Sequence, residues 1–229
     1  MYRRDESIGK DPSILYRTEN FDLPVRILKS GPNRGLYKVP AGSEIDTCFS
    51  SDFFHKDADK WRDEAWDIMR SRSDCSFFMI TKRPERIANN LPQDWDRGWD
   101  NVFIAVTCEN QQMADIRLPV YLSVPLKKYA LMIEPMLSSV DLLPYIKEFR
   151  SEDDRPLISL VSVGGESGKN ARVCDYEWVK SIQSQCVDND ISFMYHQTGA
   201  KLVKDNRLYN IPRKYQHSQA HRAGLDHRI

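Results

Sequence analysis

The stretch 157–168, LISLVSVGGESG, decides how this chain is read. Its apolar half, Leu157 to Val163, is what a strand buried on both faces of a sheet requires. It then stops at Gly164, Gly165, Glu166 and Ser167. A strand headed for a core thus ends in two glycines, a carboxylate and a hydroxyl. Two readings of that ending compete: a tight turn that needs positive φ, or a backbone that must approach a ligand closely.

Five further runs of the same kind lie on either side: EIDTCFS (44–50), CSFFMIT (75–81), NVFIAVTC (101–108), KYALMIE (128–134) and ISFMYHQ (191–197). Segments with helical spacing separate several of them. In residues 57–72, Trp61, Ala65 and Ile68 share one face behind an Asp57 cap. Residues 82–92 carry Pro84 at a first turn and Pro92 as a stop, which predicts a short helix. In residues 175–189, Trp178, Ile182 and Cys186 recur at helical spacing. Strand and helix alternate, so the chain reads as an α/β fold built from βα units around a parallel sheet.

The 229 residues are enough for one sizeable α/β domain, and the 41% hydrophobic and 29% charged composition is that of a globular protein. No apolar run is long enough to cross a bilayer and the start is not signal-like, so a cytoplasmic protein without a membrane partner is expected. The five cysteines, Cys48, Cys75, Cys108, Cys174 and Cys186, are scattered with no C-x-x-C pair. Neither a disulfide framework nor a cysteine-held metal is indicated. Formal net charge is zero, which removes a whole-molecule argument for nucleic acid. Charge is uneven, however: residues 199–229 hold seven Lys/Arg against two Asp. The chain divides into three regions: an irregular lead-in over 1–42, broken by prolines and glycines, a core over 43–198, and a basic appendage over 199–229. The appendage reads as a small hairpin and then a basic helix, where Arg213, Lys214, Tyr215, His217, His221 and Arg222 could touch phosphates.

In parallel α/β folds, ligands bind beyond the carboxyl ends of the strands. The residues there are Asp52 after the first run, Lys82 and Arg83 after the second, and Glu109 and Asn110 after the third. Glu134 ends the fourth, Gly164 to Ser167 the fifth, and His196 with Gln197 the sixth. Each has a plain alternative. An acidic residue after a strand is more often a helix cap or a solvated group, and a histidine on an apolar strand is more often a satisfied core residue. Two cations at a helix start oppose the macrodipole, a conflict that an anion would resolve.

Taken together, FSSDFF, MITKRPERI, NVFIAVTCENQQMADIRLPVYLSVPLKKYALMIEPML, VSVGGESGKNARVCDYEWVKSIQSQC and FMYHQTGA resemble a phage-associated family of unknown function. Its members are bacteriophage gene products and bacterial homologues that look like radical S-adenosylmethionine (SAM) proteins. The resemblance covers about residues 43–200. It implies a TIM-like partial (β/α) barrel of about six parallel strands over 43–198. In the family, three cysteines near the chain start hold a [4Fe-4S] cluster with one iron left open for SAM. Those cysteines are missing here, and MYRRDESIG resembles the family segment just after the last of them. The expectation is a chain that lacks its first strand and cluster loop, through a late start or through loss of the cluster. The absence of a strand in residues 1–42 favours the former, because a barrel without its first strand has an edge to cover.

The resemblance also implies that Gly164, Gly165, Glu166, Ser167 and Glu134 hold SAM, with Asp52, Lys82, Arg83, Glu109, Asn110, His196 and Gln197 lining the cavity. A carboxylate would take the methionyl amine and the basic pair its carboxylate. Two other classes stay open: a metal-dependent hydrolase or nuclease using Asp52, Glu109, Glu134, Glu166 and His196, and a non-catalytic protein that binds nucleic acid through its basic tail. An open barrel edge further implies self-association.

Overall fold

The computed structural model describes residues 15–49 and 51–229. Residues 1–14 of the lead-in, and Ser50 at the end of the run 44–50, lie outside the described residues. The six long strands are β1 (Glu44–Thr47), β2 (Ser76–Thr81), β3 (Val102–Thr107), β4 (Tyr129–Ile133), β5 (Ile158–Gly164) and β7 (Ser192–Gln197). Their hydrogen-bonded order is β1-β2-β3-β4-β5-β7, with parallel neighbours. That order does not close: it is an open, partial TIM-like (β/α) barrel of six parallel strands. Among the described residues, no strand pairs with the outer edge of β1.

The chain divides into two compact units, residues 1–104 and 105–229. In the first, helix α1 (Asp59–Ser71) joins β1 to β2 and buries Ala65, Trp66, Ile68 and Met69 together with Arg62. Ala65 and Ile68 thus face inward as expected, but Trp61 is only half-buried, and it is Trp66 that meets Phe53, Trp95 and Trp99. Asp57 does not cap α1. Its amide donates to His55 Nδ1 (3.2 Å) and opens a short 3-10 turn, Lys56–Ala58, that runs into the helix. Residues 82–92 likewise form two 3-10 turns, Pro84–Arg86 and Ala88–Asn90, rather than a helix.

The described part of the lead-in holds to this unit through Arg72, whose side chain is fully buried. Its guanidinium pairs with Asp74 (2.8 Å) and donates to the carbonyls of Pro24 and Val39. One side chain therefore ties two segments of irregular chain to the end of α1. Its charge is held by Asp74, which raises its pKa.

In the second unit, α2 (Gln111–Leu122), α3 (Leu143–Glu148) and α4 (Tyr176–Val187) alternate with β3, β4, β5 and β7. In α4 the inward residues are Val179, Ile182 and Cys186, with Trp178 half-exposed. Register places Leu131, Val161 and Phe193 side by side, and Ile133, Val163 and Tyr195 next to them. All six are buried. Strand alternation puts Met132, Ser162 and Met194 on the opposite face, below Glu134, Gly164 and His196.

The short strand β6 (Cys174–Asp175) pairs with β8 (Lys201–Lys204), which forms a hairpin with β9 (Arg207–Asn210). Asp205 and Asn206 turn it with positive φ of 51° and 57°, the geometry of a two-residue hairpin loop. Helix α5 (Arg213–Arg222) comes next, with Gln216 and Ala220 buried. The last residues return to the outer edge of β7, where Phe193 and His227 exchange backbone hydrogen bonds of 2.8 and 2.9 Å. Asp226 accepts from the Tyr195 amide at 2.9 Å. No helix among the described residues is long and apolar enough to cross a membrane.

Candidate functional site

In the second unit, the ends of β4, β5 and β7 bring Glu134, Gly164, Gly165, His196 and Gln197 together. Glu134 Oε2 lies 2.8 Å from His196 Nδ1, and Glu134 Oε1 accepts from Gln197 Nε2. Gln197 also donates to the Gly165 carbonyl at 3.0 Å. Ser167 Oγ lies 3.0 Å from Gln197 Oε1 and within reach of Gln216 Oε1 on α5. A carboxylate, an imidazole, two amides and a hydroxyl thus form one connected network.

The glycines belong to this network. Neither Gly164 nor Gly165 has positive φ, so a tight turn is not their reason. A Cβ on Gly164 would sit 2.6 Å from Glu134 Cδ, and one on Gly165 only 2.3 Å from the Thr198 carbonyl oxygen. Gly199, with φ of +76°, closes the same contact from the other side: a Cβ there would lie 2.7 Å from Gly165 Cα. Close backbone approach is required, and what approaches is the chain itself.

His196 is 43% exposed, which sets aside the reading of a satisfied core histidine. Its hydrogen bond to Glu134 raises its pKa above the ordinary histidine value, against a smaller opposing effect of burial. Its ring meets that of His217 edge-on, with centroids 4.7 Å apart, and His217 Nδ1 lies 3.0 Å from the His196 carbonyl, to which it donates. Gln216 escaped sequence reasoning, and His217 was read only as a phosphate contact, because both lie in what reads as a basic tail. A signal was present, since Gln216 and Ala220 form the one-turn stripe that faces inward.

Other expected site residues in this unit are matched to partners of their own. Glu166 receives Arg172 Nε, Nη2 and backbone N, each at 2.8 Å, and Arg172 holds its pKa below the ordinary carboxylate range. Glu109 accepts from Arg117 at 2.7 Å, and Asn110 caps α2 by accepting from the Met113 amide at 2.9 Å. A recess of about 350 Å³ in this unit is lined by Ser159, Leu160, Ser192, Phe193, Met194 and the C-terminal residues.

In the first unit, Asp52 gathers the residues after β1 and β2. It accepts from the Phe54 amide (2.9 Å), Thr81 Oγ1 (2.9 Å), the Lys82 amide (3.0 Å) and Arg83 Nη1 (2.7 Å). The anion required by two cations at a helical start is therefore supplied from within the chain. Lys82 is exposed and Arg83 half-buried.

A family model described as "Protein of unknown function (DUF5131)" matches residues 16–226, a span that holds both groups of strand-end residues. The chain belongs to that family. No curated protein and no solved structure matches it.

In this family member, Cys75, Cys108, Cys174 and Cys186 are buried and Cys48 is half-buried. Burial pushes the thiols of Cys108, Cys174 and Cys186 up to about 12, which opposes the thiolate form that binds metal. Among the described residues, no three His, Cys, Asp or Glu side chains are grouped to hold a metal ion. The carboxylates proposed for a metallohydrolase are instead distributed among Arg83, Arg117, Arg172 and His196. On α5, Arg213, Lys214, His221 and Arg222 are exposed, whereas Gln216 faces inward.

Proposed function

We propose that this chain is a radical-SAM-type protein of a phage-associated family, and that its second unit binds SAM at the ends of β4, β5 and β7. The strand order of a partial (β/α) barrel supports the reading, since such folds bind ligands at the carboxyl ends of their strands. The observation that carries it is Glu134. Each of its oxygens has one protein donor, which leaves acceptor capacity on both for the methionyl ammonium. Arg172 Nη1 offers a donor for the methionyl carboxylate beside Glu166. The described cysteines do not fit a [4Fe-4S] cluster, so no step through a cluster is assigned to them.

Isothermal titration calorimetry with SAM tests this reading. Saturable binding that weakens at least about tenfold in Glu134→Gln, the loss of one charge-assisted hydrogen bond, is the expected result. No heat with wild-type protein at millimolar SAM would overturn it. The open edge of β1 further supports pairing between copies, which concentration-dependent mass from light scattering would reveal and a constant monomer mass would refute.

A further inference from the structure

We propose that His196 and Glu134 form a proton-transfer dyad, in which His196 Nε2 takes a proton from the hydroxyl of a ligand bound above Met132 and Met194. Which ring nitrogen is engaged decides which one can accept a proton. Nδ1 faces Glu134 Oε2 at 2.8 Å, and among the described residues no group is hydrogen-bonded to Nε2. A carboxylate on Nδ1 fixes the proton there in the neutral ring, and the lone pair of Nε2 then points away from the carboxylate.

Glu134 is held where this requires it. Gln197 grips its second oxygen, and the bare Cα of Gly164 admits its side chain, where a Cβ would meet Glu134 Cδ at 2.6 Å. His217 backs the imidazole at 4.7 Å and anchors to its carbonyl. A surface ion pair needs no such enclosure.

The ligand class is set by the surface beneath. Met132 and Met194 are half-buried, and register places them on either side of Ser162, whose buried Oγ has no partner among the described residues. Polarizable thioethers accept irregular apolar shapes, so the fitting molecule has an apolar body and a hydroxyl at its rim. In the transfer, the ligand's O–H bond breaks with its electron pair left on oxygen. The proton joins the Nε2 lone pair, and Glu134 faces the imidazolium that results. The titratable groups facing the ring are Glu134 from β4 and His217 from α5.

Two measurements on the whole chain test this. Nitrogen-15 NMR of histidine-labelled protein should show the Nδ1–H form of neutral His196 and a midpoint above the ordinary value of about 6.5. Glu134→Gln and Gly164→Ala should both return that midpoint toward the ordinary value. Diethyl pyrocarbonate, which acylates an open unprotonated imidazole nitrogen, should place an adduct on His196 in the peptide map with the same midpoint. An Nε2–H tautomer, a midpoint indifferent to both variants, or no adduct would each overturn the proposal. Failure of SAM to bind leaves these readouts unchanged, so the two proposals fall separately.

Discussion

Gly165 and Thr198 touch backbone to backbone: a Cβ on the glycine would lie 2.3 Å from the threonine carbonyl oxygen and 2.8 Å from its carbonyl carbon. A main-chain carbonyl cannot swing aside as a side chain does. Gly165→Ala should therefore destabilise the protein by about 1–3 kcal/mol, read as a lower urea midpoint with unchanged slope.

Gly164→Ala presents a different obstacle, since the nearest atoms belong to the Glu134 side chain. Glu134 can rotate away. The variant should lose under about 1.5 kcal/mol of stability while it breaks the contact to His196. Equal losses for the two alanine variants would refute this distinction.

The His196–Glu134 pair should make stability depend on pH in a defined sense. The folded-state pKa of His196 is raised, chiefly by its hydrogen bond to Glu134. Its contribution is then fully present below the unfolded value of about 6.5 and is lost as pH rises through the folded value. Glu134→Gln should cost about 0.5–1 kcal/mol near pH 6, given the exposure of the histidine, and almost nothing near pH 9. Urea titrations at both values check this, and an equal cost at both would contradict it.

Asp52 satisfies two backbone amides, a hydroxyl and a guanidinium. Asp52→Ala leaves all of these without their acceptor. We expect a loss of about 2–4 kcal/mol by denaturant unfolding, well above that of an ordinary surface charge.

Arg72 is the corresponding anchor for the lead-in. Arg72→Met keeps much of the apolar stem and removes the donors to Pro24 and Val39. Limited proteolysis should then cut within residues 24–40 before the strands, whereas wild-type protein resists there. No change in cleavage order would show that the lead-in is held by other contacts.

Most strands were legible because a strand covered on both faces needs a nearly continuous apolar run, although β1, with Glu44 and Asp46 exposed, was read from a shorter and more polar one. Residues 191–197, for instance, differ from β7 only at Ile191. Helix α2 was not, although Ala114, Leu118, Tyr121 and Leu122 are buried along it. Pro119 sits inside that helix and disguises it, since proline ordinarily marks a stop. The site divides in the same way. Glu134, His196 and Gln197 stood out as polar groups at strand ends, where chemistry is expected. Their pairing did not, because Glu134 meets His196 only once β5 lies between their strands and offers a glycine at position 164. Gly164 and Gly165 stood out as close-approach positions, but no linear pattern says whether the visitor is a ligand or the chain itself.

The C-terminal residues give β7 a neighbour without giving the sheet another strand. A protein cut after Gly224 would lose the exchange between Phe193 and His227 and the Asp226 acceptor for Tyr195. It would then carry a bare margin at β7 besides the one at β1 that no strand among the described residues covers, and two margins would allow copies to add without limit where one allows only a pair. Were copies to pair through β1, the final few residues would act as a chain terminator, leaving β7 no bare backbone for a third copy to join.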